Sequence, residues 1–325
     1  MLLQLSPLGR PATPRGPGTY PRRVTAADTS GRTARRRTPN RRSFGSRPVW
    51  LVLAGIASVQ LGAAFSKQLF TLLEPTAVVW LRLVASSIIL LAIARPRLRG
   101  RSRVDWRTVL LFGLVLGTMN WAIYQSFARM PLGLAVTIEF LGPLTVALVG
   151  SRKKLDLAWV GLAALGVALL GFGGGGVTVG GVVFALLAGA AWGLYIPLSA
   201  AVGRGWDGLS GLAVASLVGT VALAPFAIAI GGADLLGTRV LVVGALVGLL
   251  SSVIPYSFEM AALRTMPPRV FGILMSLEPA AAAMAGLLVL SEQLGVREWV
   301  AVVCVVVASA GVTRSATPPA APAPD

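Results

Sequence analysis

Two carboxylates stand where an apolar stretch should carry none. Glu139 lies in the run 132–150 and Glu278 in the run 270–290, each beside a helix-breaking proline, Pro143 and Pro279. A carboxylate held in hydrocarbon costs roughly 3 kcal/mol, so a chain that keeps one there uses it for an ion or a substrate. Each proline removes the backbone bond to the carbonyl four residues back, here those of Glu139 and Met275. Freed carbonyls beside carboxylates are a site for a cation or an ammonium group. Counted from the matching prolines, the two glutamates differ by three positions, about 60° of rotation and about 4.5 Å of rise, so both fall near the centre on roughly corresponding faces.

Other polar groups interrupt the neighbouring apolar runs. Asn120, Trp121, Tyr124 and Gln125 form a polar–aromatic stripe through their i, i+4 pairs. Ser252, Tyr256 and Glu259 make a comparable stripe, loosened by Pro255, and a further run contributes Trp192, Tyr195 and Pro197. The aromatics fit an interfacial belt or packing as well as a site. Glu259, five residues before Arg264, suits a gate or a snorkelling pair at the boundary. Lys67, Arg129 and Glu292 are expected at the interface. Arg82 needs a partner, either a substrate carboxylate or a glutamate that ties helices together. Ala281, Ala282 and Ala285 share the Glu278 side, small enough for close helix packing or for a cavity wall. Inside the membrane there are thus three acids (Glu139, Glu259, Glu278) and one base, Arg82. Full ionisation would leave two uncompensated charges, so at least one carboxyl is expected to carry a proton.

The elements that must hold these groups follow from composition. Of 325 residues, 55% are hydrophobic and 13% charged, and the mean hydropathy is +0.77. These values exclude an ordinary soluble domain and indicate an integral membrane protein. A spanning helix takes ~20 apolar residues, and ten such runs occur, near 49–66, 76–94, 108–128, 131–150, 157–173, 179–200, 209–230, 240–262, 270–290 and 297–313. Runs this apolar do not alternate as barrel strands would. The expected fold is an all-α integral membrane bundle of ten transmembrane helices.

With no histidine and a single cysteine, Cys304, neither a metal cluster nor a disulfide frame can be assembled, and no cofactor is expected. Residues 1–47 hold eleven arginines and one acid and are expected to be a disordered cytoplasmic tail; 315–325 are a disordered Pro/Ala tail. The tail inflates the net charge of +17, which is therefore no argument for nucleic acid. The excess of arginine over lysine, with abundant Ala, Gly and Val, suggests a GC-rich bacterial genome and hence a bacterial plasma (inner) membrane. Basic residues concentrate in the tail, in the loop Arg95 to Arg107 and at Arg152, Lys153 and Lys154, so the positive-inside rule places both termini in the cytoplasm. Glycines 173–176 lack the ending of a phosphate loop and sit at a hinge between halves.

The chain also matches itself. At an offset of 136, Met130-Pro131 meets Met266-Pro267, and Gly142-Pro143 meets Glu278-Pro279; at 140, Trp159 meets Trp299 and Gly171 meets Gly311. Each half holds five spans, an odd number, so the halves (48–175 and 176–314) are inverted in the membrane. That organisation is typical of secondary transporters with a midplane site. The stretch from Ser276 to Gly295, with Glu278-Pro279-Ala280-Ala281, Glu292 and then Trp299 and Gly311, resembles the second EamA domain of the drug/metabolite transporter superfamily. It is most similar to the branch that exports threonine and homoserine, and Leu81-Arg82 after Pro75 fits the first-half pattern. Residues 151–154 (Ser-Arg-Lys-Lys) stand where that family often has a glycine–glutamate pair. The resemblance implies a ten-helix, proton-driven exporter of small amphipathic metabolites, with a small-molecule substrate, protons and the lipid bilayer as its partners. Another metabolite or drug, moved in either direction, is the nearest alternative. A membrane enzyme acting on a lipid-linked substrate is the alternative of a different class. Oligomeric state is not legible.

Overall fold

The structure, a computed structural model, describes residues 47–149, 154–170 and 176–315. Both tails, the Ser151–Lys153 stretch and glycines 173–175 lie outside the described residues. The helices are α1 (Arg47–Gln68), α2 (Pro75–Ala94), α3 (Arg103–Phe127), α4 (Leu132–Glu139), α5 (Leu141–Val149), α6 (Lys154–Leu170) and α7 (Val179–Gly205). They continue with α8 (Ser210–Gly231), α9 (Thr238–Gly248), α10 (Ile254–Leu263), α11 (Pro268–Met275), α12 (Glu278–Leu290) and α13 (Val296–Ser315). Joined as continuous rods, these make, among the described residues, nine helical spans long and apolar enough to cross a membrane, and α6 adds the shorter apolar helix Leu157–Leu169. Each of the ten sequence runs is therefore helical over its described residues apart from the short breaks named below, and no strand occurs among the described residues.

Local chemistry sets the ends and breaks. Ser102 and Asp105 exchange hydrogen bonds as a capping box that opens α3, and the Thr178 hydroxyl accepts from Gly181 N at the start of α7. Pro143 and Pro279 split their spans as expected, into α4–α5 and α11–α12. A π turn, Leu249–Val253, precedes Pro255 and separates α9 from α10. Pro197 departs from expectation: α7 runs through it as one helix of 27 residues. One lost backbone bond is small against the packing of so long a helix on its neighbours.

The packing partners exchange with the halves. α3 packs on α7 as α10 packs on α1, α3 on α8 as α9 on α2, and α4 and α5 on α7 as α12 and α11 on α1. The pairs α2–α8, α4–α12 and α6–α13 join the halves directly. Two inverted five-helix units facing each other would produce this set. Small residues make the crossings possible. A Cβ on Gly133 of α4 would stand 2.5 Å from the Cα of Ala283 on α12, and Gly142 touches the backbone of Gly189 on α7. Ala282 and Ala285 are buried and Ala281 packs, partly buried, on the cluster of Val52, Ile56 and Phe271, so these alanines make helix contacts and are not among the lining of the cavity described below. The Trp159 indole lies on Gly311 of α13, which joins one residue from each half of the self-match.

Polar bonds tie the rods where burial makes them matter. Ser86 and Ser252 share a hydrogen bond of 2.6 Å, Ser87 bonds Ser216 and Thr220 on α8, and Ser58 donates to the Leu250 carbonyl. At one end of the bundle the Lys67 ammonium stands 2.6 Å from the Glu292 carboxylate and donates to the Met130 carbonyl at 2.7 Å. Glu292 in turn accepts from Leu132 N, an otherwise orphan donor in the first turn of α4. This brace joins the end of α1, the start of α4 and the segment after α12. At the opposite end Arg101 donates to the Gly205 carbonyl and to Asp207 and covers the Trp206 ring.

Two outcomes follow for stability. Gly133→Leu is expected to lower the melting temperature and yield of the purified protein, because overpacking costs about 1–3 kcal/mol. Gly161→Ala, beside which no atom lies within 4 Å, should leave both unchanged; equal melting of the two variants would refute the close crossing. A double-mutant cycle with Glu292→Gln and Lys67→Met should give a coupling of about 1–3 kcal/mol, and strictly additive effects would mean that the brace carries no energy.

Candidate functional site

Between the halves lies a cavity of about 150 Å³. A cavity of that size holds a ligand as large as benzene. Its walls come from α1, α2, α3, α4, α7, the π turn with α10, and the α11–α12 break, while α6, α8 and α13 stay outside it. The lining spans pair off between halves except for α2, which contributes a single side chain, Arg82.

Glu139 is the last residue of α4 and Glu278 the first of α12, so each carboxylate sits at the cut end of a half-span. Both are buried and both line the cavity, as the spacing from the prolines requires. Glu259 joins them. The sequence placed it at the boundary with Arg264, but it is buried and faces the same cavity, while Arg264 is exposed. Five residues of α-helix separate Glu259 from Arg264, about 140° of rotation and about 7.5 Å of rise, which carries Glu259 to another face and deeper than the boundary. All three acids and the one base found by charge counting thus share one chamber.

Arg82 is steered from the side. Its guanidinium lies over the Tyr124 ring, 5.7 Å from the centroid, and donates to the Tyr124 hydroxyl at 3.5 Å. That hydroxyl also bonds Ser66 at 2.8 Å. Tyr124 is fully buried and outside the cavity wall, where its hydroxyl and ring both contact Arg82. Gln125 is likewise displaced from the expected stripe. Its amide donates to Thr76 at 3.0 Å and its carbonyl accepts from Arg129, which binds α3 to α2 away from the cavity. Of the α3 stripe only Asn120 reaches the chamber, with one amide hydrogen spent on the Leu116 carbonyl.

Trp192 and Tyr195 of α7 line the chamber and are not belt residues. Phe140 meets Trp192 edge-on at 5.3 Å and Phe112 packs on Tyr195 at 4.8 Å, which fixes both rings. Pro255 also lines the wall. Tyr256 lies on α10, but its side chain is outside the described residues. The carbonyl of Glu139, expected at a cation site, lies against the backbone of Gly189, where it supports the α4–α7 contact. Two polar wall residues were not singled out from sequence: Gln60 of α1 and Ser251 of the π turn. Gln60 was visible as a polar residue inside the first apolar run. Ser251 carried no signal, since a serine is common in spans and the π turn that aims it is not written in a simple period.

The EamA-like transporter family matches residues 179–314, the second half. The threonine/homoserine exporter RhtA of Salmonella typhimurium strain SL1344 is 40% identical over 274 residues, which cover 82% of this chain and 92% of that protein. RhtA of Escherichia coli strain K12 is 40% identical over 279 residues, 83% of this chain and 94% of that protein. A solved structure titled only as the crystal structure of a protein shares the fold, with a TM-score of 0.56 and 17% identity over 81% of this chain and 96% of that one. With a family match across its second half and near-complete alignment to these relatives, this multi-pass membrane protein belongs to the EamA-like transporter family.

Proposed function

We propose that the chain exports small amino acids of the threonine and homoserine type across a bacterial inner membrane in exchange for protons. One observation carries the reading: three carboxyls and one guanidinium converge on a single buried cavity between the two halves. A zwitterion supplies the charges that this set lacks. Its ammonium meets Glu278 or Glu139, and its carboxylate meets Arg82, whose planar fork suits a carboxylate. An ammonium that takes the place of the proton on one carboxyl releases that proton, while the cargo's carboxylate is taken up by Arg82, so the exchange leaves the charge at the acids unchanged. Competition between proton and ammonium for the same carboxyl is the simplest coupling of the two fluxes. The names of the relatives support the choice of cargo. Both termini are assigned to the cytoplasm, which puts the Lys67–Glu292 brace on the periplasmic side. Release of cargo outward then requires that brace to part as the halves rock about the chamber.

In sealed vesicles, Glu278→Gln is expected to reduce pH-driven threonine flux by at least about tenfold with the melting temperature retained; proton-dependent flux at the original level would remove Glu278 from coupling. Tyr124→Phe takes away only the hydroxyl that steers Arg82. It should raise the KM for threonine by roughly three- to tenfold with a smaller change in maximal rate, and an unchanged KM would show that Arg82 needs no steering.

A further inference from the structure

The charged groups of the chamber account for the two ends of an amino acid, and its aromatic wall has no part in that account. Trp192 and Tyr195 stand three residues apart on α7, about 60° from each other around the helix, and both line the cavity. Behind each stands a second ring. Phe140 and Phe112 are buried and outside the lining. Phe140 meets the Trp192 indole with the ring planes at 89°, and Phe112 packs on Tyr195 with the planes at 50°.

The backbone that carries Trp192 is as constrained as its ring. A Cβ on Gly189 would stand 2.8 Å from the carbonyl oxygen of Glu139, and one on Gly193 3.6 Å from that of Gly142. α7 therefore rests on the α4–α5 break on both sides of Trp192 in sequence, and Phe140 is the residue at that break. To make room, the indole would have to displace Phe140 or part α7 from the break. Elsewhere the lining includes Met119 and Met275, whose unbranched side chains yield more easily.

The space in front of this wall is small. At about 150 Å³ it matches a cavity that benzene fills. A small amino acid exceeds benzene only slightly. Phenylalanine carries a whole benzene ring in addition to its charged core, and leucine a branched chain, so either would have to push packed rings aside. We infer that Trp192, backed by Phe140, sets the upper size limit of the cargo and excludes amino acids with side chains as bulky as those of leucine and phenylalanine. The inference rests on the amino-acid reading given above.

The test is counterflow in proteoliposomes loaded with unlabelled L-threonine, L-leucine or L-phenylalanine, with the same amino acid labelled outside. Wild-type protein should exchange threonine at least about tenfold faster than either larger amino acid. Trp192→Ala should raise phenylalanine counterflow at least about tenfold over the wild-type level, with threonine exchange weakened. Trp192→Phe, which keeps a smaller ring against Phe140, should admit leucine ahead of phenylalanine, and Phe140→Ala, which lets the indole tilt back, should raise leucine exchange. A gain of larger cargo cannot come from misfolding, and Trp192→Phe keeps the test decisive if the alanine variant does not fold. Trp121→Ala removes an indole that packs on Phe184 away from the lining, and it should leave the selection as it is. Continued exclusion of both larger amino acids by Trp192 variants that still exchange threonine overturns the inference, and so does an equal gain in Trp121→Ala, which would mark a loosened fold. Wild-type protein that takes phenylalanine as readily as threonine also overturns it and leaves the amino-acid reading standing. Wild-type protein that exchanges none of the three sinks that reading and this inference with it.

Discussion

Everything in the bundle answers to the cost of holding charge away from water. Glu139, Glu259 and Glu278 could not face acyl chains, and a single guanidinium cannot neutralise three carboxylates. One chamber shared by all four groups, lined by polar side chains and large enough for a small ligand, resolves that conflict.

The interrupted helices are the structural counterpart of this constraint. Breaks at Phe140 and at Ser276–Leu277 put Glu139 and Glu278 at the inner ends of half-spans, where backbone and carboxylate can both turn inward. Interrupting a helix in hydrocarbon is tolerable only where neighbouring protein covers the freed groups. Gly133 against Ala283 and Gly142 against Gly189 supply that cover by bringing backbones into contact beside each break. Close backbone crossings therefore border the site.

The two ends of the bundle are braced by different chemistry. An ammonium–carboxylate pair that also caps α4 closes one end, and an arginine fork on a carbonyl, a carboxylate and an indole closes the other.

The amino-acid sequence by itself determined the helices, their number, the two proline breaks and the identity of the buried acids and base. These depend on hydropathy over twenty residues and on local backbone chemistry, both readable along one strand of text. It also carried the resemblance to the EamA family, through a run of residues around Glu278. Tertiary structure alone decided which polar residues share the chamber. Glu259 faces the chamber and not the boundary, Gln125 and Tyr124 turned away to hold Thr76 and Arg82, and Gln60 of α1 and Ser251 of the π turn line the same cavity from two distant spans. A helical period states that residues share a face, but which neighbour that face meets is set by packing between segments nearly two hundred residues apart, as Ser58 and Leu250 are.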